Sequence, residues 1–430
     1  MSVSTLYLCY FGLREPLVQT QVLPYLRELV AGGVRVSLLT FETRPSESWT
    51  PAEFEAERAR LEAQGIRWHW REYHKSPTLA ATLYDVAVGA RFASRLRKRG
   101  EADVLHARSH VPALMAALAK RRRGGRLLFD IRGFMPEEYT DAGVWPKGGA
   151  LYRGVKVVER SLMRSADAFV VLTEKAREIL FQGRDDDGGR PVEVIPCCVD
   201  TERFRAAEGV TREAVREELG IEAGRRVFVY VGGLGGWYLT GEMADLLARA
   251  HADDPRTFTL VLTQSPPEVI AAPLRARGVR DEDFHVRRVA PADVPRYLKA
   301  ADVAVSFIKP CYSKLSSSPT KLAEYLAAGL PVVCNAGVGD VDAVVEGERV
   351  GVIVRGLNAE AYGAALAEVA ALGREPGLAD RCRDAARRRF DLKTVGGPRY
   401  RRLYRRLLGT EGAGEPVGSG RAALSPSGEP

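Results

Sequence analysis

The chain has 430 residues, 46% of them apolar and 27% charged, which excludes a disordered chain and gives length for two domains of ordinary size. Its formal net charge of +8 is located in residues 376–408, where eleven side chains are basic and three acidic. The remainder sums to zero, so a protein-wide phosphate-binding surface is excluded and nucleic acid is not an expected partner.

The opening MSVSTLYLCYFGL carries no basic stretch and too short an apolar run for a signal peptide, and no run of about 18 apolar residues follows. Six cysteines without CxxC spacing fit a reducing compartment. A cytoplasmic chain, soluble or at most peripheral on a membrane, is expected. Short aliphatic runs then alternate with helix-length amphipathic segments. In the first half the pattern predicts strands at 5–10, 35–41, 66–70, 104–106, 127–131, 168–172 and 192–195, with helices at 19–31, 51–64, 78–99, 111–120, 150–165 and 174–182. The stretch IPCCVDTERF (195–204) reads as a linker. A second series follows, with strands at 227–231, 257–263, 284–289, 302–308, 331–335 and 350–354 and helices at 241–251, 267–277, 292–300, 320–328 and 359–372. Such alternation builds βαβ units around parallel sheets. The expected class is α/β, with two doubly wound Rossmann-like domains at 1–195 and 205–390. A terminal helix within 391–408 and a Gly-, Pro- and Ser-rich tail at 409–430, expected to be disordered, complete the chain. In that helix Tyr400, Leu403, Tyr404, Leu407 and Leu408 share one face, and Arg399, Arg401, Arg402, Arg405 and Arg406 lie mostly on the others. The basic face is either solvated or meets an anionic membrane surface.

Doubly wound folds bind ligands beyond the carboxyl ends of their strands. After the strand at 227–231 comes VGGLGGWYLTGE, in which Gly232, Gly233, Gly235 and Gly236 suit backbone approach to phosphates or simply a tight turn. The segment 307–342 is richer. A strand ends, a loop of Lys, Ser and Pro follows, and a helix starts near Thr320. A helix N-terminus behind serines attracts anions, and Lys321 adds a full positive charge. Glu324, one turn on, can accept hydrogen bonds from sugar hydroxyls. Phosphate plus ribose is the chemistry this segment suits, although a plain helix with an i,i+3 ion pair has the same spacing. Lys309 and Lys314 are further cations near the strand end. In the first half His106, Arg108 and His110 follow a strand, and His106 is either a functional imidazole or a packed structural one.

The string SSPTKLAEYLAAGLPVVCNAGVGD (317–340) resembles the donor-binding signature of the retaining glycosyltransferases of family 4, which have the GT-B fold of two facing Rossmann-like domains. FGLREPLVQTQVLPYLRELVAGGVRVSLLTFE (11–42), ADVLHARSHVPALMAAL (102–118), FDIRGFMPEEY (129–139), ADAFVVLTEKAREIL (166–180) and the IPNGVD-like hinge at 195–204 agree in order, so the resemblance covers residues 5–405. It implies transfer of a sugar from a UDP- or GDP-type donor to a glycan, lipid-linked or small-molecule acceptor, with retention, without metal and without a cofactor other than the nucleotide-sugar co-substrate. It places Glu324 on the nucleotide ribose. Ser318, Thr320, Lys321, Gly12, Gly233, Gly235 and Gly236 fall near the donor diphosphate and sugar, and Ala290 beside the base. Lys321 and Lys309 would stabilise the leaving group. Arg132, at the family's strand-end histidine position, and His106 are the remaining catalytic candidates, with Arg108, Asp130 and Glu138 on the acceptor side. Glu137 is a further candidate to orient Arg132 or take the acceptor proton. The terminal helix is expected to return to the N-terminal domain. Asp185 to Asp187 and the pair Asp340 and Asp342 superficially suggest a metal site, but the first run reads as a solvated turn and the pair belongs to the signature. Three departures stand out. Ser316 replaces the first glutamate of the family's Glu-x7-Glu pair, Arg132 replaces the histidine, and the Arg and Lys usual after the first C-domain strand are missing from 231–242. They motivate two alternatives, a GT-B-like binding or partner protein with impaired catalysis, and a nucleotide-sugar epimerase of the same fold.

Overall fold

The computed structural model describes residues 3–409 and contains two parallel sheets. The first has the order β3-β2-β1-β4-β5-β6-β7, with β1 Ser4–Leu8, β2 Arg35–Thr43, β3 Ile66–Tyr73, β4 Val104–Arg108, β5 Arg126–Asp130, β6 Ala168–Val171 and β7 Val192–Val194. The second has the order β10-β9-β8-β11-β12-β13, with β8 Arg226–Val231, β9 Thr257–Leu262, β10 Phe284–Arg287, β11 Val303–Ser306, β12 Val332–Asn335 and β13 Gly351–Val354. Strands β1, β4 and β6 are buried along their whole length, because helices cover both faces. Such strands carry continuous apolar runs instead of alternation. In each sheet the strand order reverses beside the first strand, between β1 and β4 and between β8 and β11. There the loops at the carboxyl ends part and leave a crevice.

The helix expected over 19–31 is two helices, Pro16–Gln21 and Leu23–Ala31, because Val22 leaves helical geometry (φ −120°) just before Pro24, which has no amide to donate. The helices Met135–Asp141, Arg212–Glu218 and Val341–Gly347 are additional. Each is two turns long, too short to show a period in sequence. The linker at 195–204 is clamped. The Val199 amide donates to the Phe390 carbonyl (2.8 Å) and the Leu392 amide to the Val199 carbonyl (2.9 Å), so the chain crosses between the sheets twice, side by side.

The second crossing continues through a π-helical turn, Leu392–Gly396, into the helix Gly397–Leu408, which docks on the first sheet. Tyr400, Leu403, Tyr404 and Leu407 join the core that contains Leu23, Tyr25 and Leu26. The approach requires glycine, since a Cβ on Gly396 would lie 2.8 Å from the Tyr25 ring and one on Gly397 2.5 Å from the Glu28 carboxylate. The arginines of this helix are largely engaged by the protein itself. Arg401 pairs with Glu28 (3.0 Å), Arg402 pairs with Glu193, and Arg399 donates to the Val194 carbonyl (2.6 Å). The preceding helix, Leu378–Phe390, spreads its charge in the same way, with Arg388 and Arg389 on Glu348 and Arg381 on Glu375. The expected tail lies outside the described residues apart from Gly409, which caps the last helix at φ +67°. Among the described residues no helix is long and apolar enough to cross a membrane.

Candidate active site

The donor-side residues gather at the carboxyl ends of β8 and β11. The helix Thr320–Ala327 is capped by Pro319, whose side chain cannot accept, so its first turn carries the partial positive charge of uncapped amides. Gly329 (φ +79°) ends the helix where Arg383 and the Ala379 carbonyl leave no room for a side chain. Lys321 is buried against the glycine loop. Its Nζ lies 2.8 Å from the Tyr230 hydroxyl, 4.2 Å from the Tyr230 ring centre and 3.9 Å from that of Tyr238, and a Cβ on Gly232 would stand 3.0 Å from it. The faces of two aromatic rings hold an ammonium without neutralising it. Burial pushes the Lys321 pKa down to about 7, with the nearby Glu324 charge opposing the shift. Burial likewise pushes Glu324 up to about 7, opposed by Arg203 and Lys321.

The glycine loop takes the conformations that only glycine adopts freely, with φ +129° at Gly232, +73° at Gly235 and +59° at Gly236. No side chain lies within contact distance of the Cβ positions at Gly235 and Gly236. Gly233 carries the carbonyl that accepts from the Tyr230 hydroxyl. Ala290 is exposed on the loop after β10, next to Pro291, whose carbonyl accepts from Arg203 (2.8 Å). Arg203, at the linker, thus joins the Ala290 loop electrostatically to Glu324.

Opposite lies the helix Met135–Asp141, and the two sides meet in a polar seam. Lys314 Nζ bonds to Glu138 Oε1 (3.0 Å) while lying 3.9 Å above the Trp237 ring of the glycine loop. Lys309 donates to the Asp141 carbonyl (3.0 Å), and the Ser313 amide donates to the Asp141 carboxylate (2.9 Å). Ser316, at the position of the family glutamate, accepts from the Phe134 amide (3.2 Å) and donates to the Ser313 carbonyl (2.7 Å). Ser318 accepts from the Cys197 amide (3.1 Å). Asp340 accepts from the amides of Glu174 (2.7 Å) and Lys175 (3.2 Å), and Asp342 from that of Gly337 (3.2 Å). Asp186 likewise accepts from the Gly189 amide (2.7 Å).

Gly339 sits where this seam is tightest. With φ +45°, a Cβ there would lie 2.0 Å from the Ser317 carbonyl oxygen and 2.9 Å from Thr173 Cγ2. Gly339→Ala therefore meets a left-handed backbone cost of roughly 1–2 kcal/mol together with a clash across the seam. Thermal unfolding should show a lower midpoint and limited proteolysis faster cutting of the 195–204 linker. An unchanged midpoint would mean that the seam yields without cost.

Several acceptor-side assignments need correction. His106 is packed between the rings of Tyr7, Tyr400 and Tyr404, with Nδ1 3.0 Å from the Tyr404 hydroxyl. Burial lowers its pKa, with the nearby Asp130 carboxylate opposing, and the terminal helix covers it, so it is a structural imidazole closed off from an acceptor. Asp130 is fully buried and takes a hydrogen bond from the Tyr400 hydroxyl (3.1 Å). Arg108 is buried 4.0 Å from that carboxylate. Arg132 points its Nη1 at Asp130 (3.5 Å) and its Nη2 at Cys197 Sγ (3.4 Å), so it presents no exposed guanidinium to an acceptor phosphate. These four residues form a buried charge cluster beneath the terminal helix. Gly12 also departs from expectation, since its Cβ position faces the buried Glu42 carboxylate at 2.9 Å, a poor neighbour for a diphosphate. Of the acceptor-side set, Glu138 alone reaches the seam, while Glu137 pairs with Lys156 (3.0 Å). Sequence reasoning missed Tyr230, Trp237, Tyr238, Asp141 and Arg203. The available signal was the pair Trp237-Tyr238 directly after four glycines, bulky rings where a bare turn needs none.

Comparison with known proteins agrees with this architecture. The family model described as Glycosyl transferase 4-like domain matches residues 18–198, and that described as Glycosyl transferases group 1 matches residues 225–371. Alpha-maltose-1-phosphate synthase of Mycolicibacterium smegmatis is 28% identical over 231 residues, covering 51% of this chain and 57% of that protein, so the match spans little more than half of that relative. Among solved structures, sucrose-phosphate synthase from Thermosynechococcus elongatus superposes with a TM-score of 0.70 at 16% identity over 95% of this chain and 100% of that one. A glycosyltransferase from Rickettsia africae gives 0.68 at 13% identity (95% and 99% covered), and Anabaena HepE in complex with UDP and glucose gives 0.65 at 15% identity (94% and 99% covered). With the two family models matched in order on its two sheets, the chain belongs to the group 1 glycosyltransferases of family 4, with the GT-B fold.

Proposed function

We propose that the chain transfers a sugar, with retention, from a UDP- or GDP-type nucleotide-sugar to a glycan, lipid-linked or small-molecule acceptor. The observation that carries this reading is the Lys321 ammonium, held by Tyr230 and Tyr238 against the glycine loop at an uncapped helix start, with Glu324 one turn on. As the C1–O bond breaks, negative charge grows on the departing diphosphate, and preorganised donors aimed at it lower the barrier. Lys321, the amides of the helix start and the glycine loop are such donors. Lys309 and Lys314, engaged at the seam with Asp141 and Glu138, would exchange those partners for phosphate oxygens when a donor enters. The structure of HepE with UDP and glucose, on the same fold, supports a uridine nucleotide as the first donor to try. Retention rests on the resemblance of 317–340.

Metal independence is part of the proposal, because in this reading side-chain and backbone positive charge would serve the diphosphate, and Asp340 and Asp342 are committed to backbone amides. Transfer should persist in excess EDTA, and its loss would overturn this point. Glu324→Ala removes charge-assisted hydrogen bonds worth about 1.5–3 kcal/mol each, so calorimetry should show nucleotide affinity falling roughly ten- to a hundredfold. Unchanged affinity would remove Glu324 from the ribose site. An anionic membrane surface remains a proposed partner through the exposed part of the terminal helix, and vesicle sedimentation against an arginine-neutralised variant tests it.

A further inference from the structure

The amino ends of the second sheet, on the edge opposite the donor loops, border an open cleft of about 770 Å³ that meets the donor side only at Gly329 and Ala379, past the end of the helix Thr320–Ala327. Five guanidiniums border it, and that of Arg225 is paired with Asp283. Those of Arg212 and Arg216 both pair with Asp302, whose carboxylate also accepts from the Val227 amide (2.7 Å). The other two are not neutralised. Arg226, the first residue of β8, is partly buried with its guanidinium 5.5 Å from the Phe228 ring centre, and Arg374 is exposed at the rim. Neither side chain donates a hydrogen bond or forms an ion pair among the described residues. The remaining carboxylates of the wall are engaged elsewhere, Glu375 with Arg349 and Arg381 and Asp380 with Arg383. Three of the five guanidiniums therefore take up the carboxylates of Asp302 and Asp283, and among the described residues Arg226 and Arg374 have no ion pair of their own. Burial and the charge of Arg374 both disfavour the charged form of Arg226, with Asp302 and Asp254 opposing.

A partly desolvated guanidinium without a counter-ion costs free energy that a bound anion recovers, and planar donors pair most strongly with carboxylate and phosphate oxygens. The volume falls in the range of small-molecule sites, roughly 300–1,000 Å³, and the walls at Gly224, Gly373 and Gly377 carry no side chains. We propose that this cleft is a second ligand site that binds a phosphorylated metabolite of sugar-phosphate size, its phosphate held between Arg226 and Arg374. The proposal is independent of the donor reading, since it uses none of the same residues.

The test is calorimetric titration of the full chain, at physiological ionic strength, with ribose 5-phosphate and with inorganic phosphate, repeated on Arg374→Gln, Arg226→Gln and Arg226→Lys. The expected result is saturable binding that weakens by about tenfold or more in the two glutamine variants, as for loss of a charge-assisted pair, and is largely kept in Arg226→Lys. Arg374 is exposed, so its variant should melt like the parent and keeps the test valid if Arg226→Gln folds poorly. Tighter binding of ribose 5-phosphate than of phosphate assigns the site to a metabolite, and equal binding assigns it to free phosphate, with the same anion chemistry upheld. Absence of saturable binding overturns the proposal. So does binding that is undiminished in Arg374→Gln, which would place the phosphate at the donor helix instead.

Discussion

Replacing Lys321 with alanine should lower kcat by roughly 10²–10³-fold, the about 3–4 kcal/mol typical of removing one preorganised donor from a developing oxyanion. The effect is expected on turnover more than on KM, because the diphosphate gains charge only as the sugar leaves. The fold should not suffer. Burial lowers the Lys321 pKa from 10.5 to about 7, so the folded state disfavours the ammonium and folding improves when the charge is removed. The sign is testable. Below about pH 7 both folded and unfolded chains hold the proton and the full cost of burying the charge is present. Between about 7 and 10.5 the unfolded chain binds more protons, so stability rises with pH through that window. Turnover should move the other way, because the charge that grows on the diphosphate needs the ammonium. As pH rises and Lys321 loses its proton, kcat should fall. Lys321→Ala should abolish both slopes while melting no lower than the parent. A variant that keeps the parent's turnover would displace Lys321 from the leaving-group site.

The donor half of the site is legible in sequence because its parts are local. Lys321 and Glu324 stand one turn apart on one helix, the helix start follows a serine and proline loop, and the glycines follow a strand directly, so spacing alone brings them together. The acceptor half depends on chain returns that spacing does not encode. FDIRGF reads as a strand end opening on a cleft, yet Arg132 and Asp130 lie under a helix that begins some 270 positions later in sequence, and Tyr400 supplies the hydrogen bond that turns the carboxylate inward. The same physics misplaces His106. A strand-end imidazole reads identically whether solvent or three tyrosine rings await it. Lys314 and Glu138 illustrate the converse. Each looks like an ordinary surface charge, and only the facing of the two sheets makes them a pair. The amphipathic pattern of 398–408 does reveal the buried face of the returning helix, since five large side chains on one stripe require a partner.

That return makes Asp130 the second residue whose loss should have a large effect. Its carboxylate is the counter-charge for Arg132 (3.5 Å) and Arg108 (4.0 Å), lies 3.7 Å from His106 Nε2 and accepts from Tyr400. Burial pushes its pKa up, but Arg132, His106 and Arg108 together outweigh burial and hold it near 2. Asp130→Ala strands two guanidiniums in the interior, a change that typically costs 3–5 kcal/mol, and removes the acceptor of the Tyr400 hydroxyl. The urea midpoint at pH 7 should fall accordingly. The depressed pKa fixes the pH signature as well. Stabilisation from Asp130 is complete above its unfolded pKa of about 3.8 and is lost as pH falls through about 2, a contribution of about 2 kcal/mol. Acid unfolding in that window should be steeper for the parent than for the variant. Because Tyr400 and Tyr404 hold the helix Gly397–Leu408 to this cluster, trypsin should reach Arg399, Arg401 and Arg402 faster in Asp130→Ala, while Asp130→Asn, which keeps an acceptor for Tyr400, should protect the helix and still lose the acid slope. Equal stability and equal cleavage in all three proteins would show that the arginine pairs to Glu28 and Glu193 suffice to dock the helix, with the buried cluster a passenger.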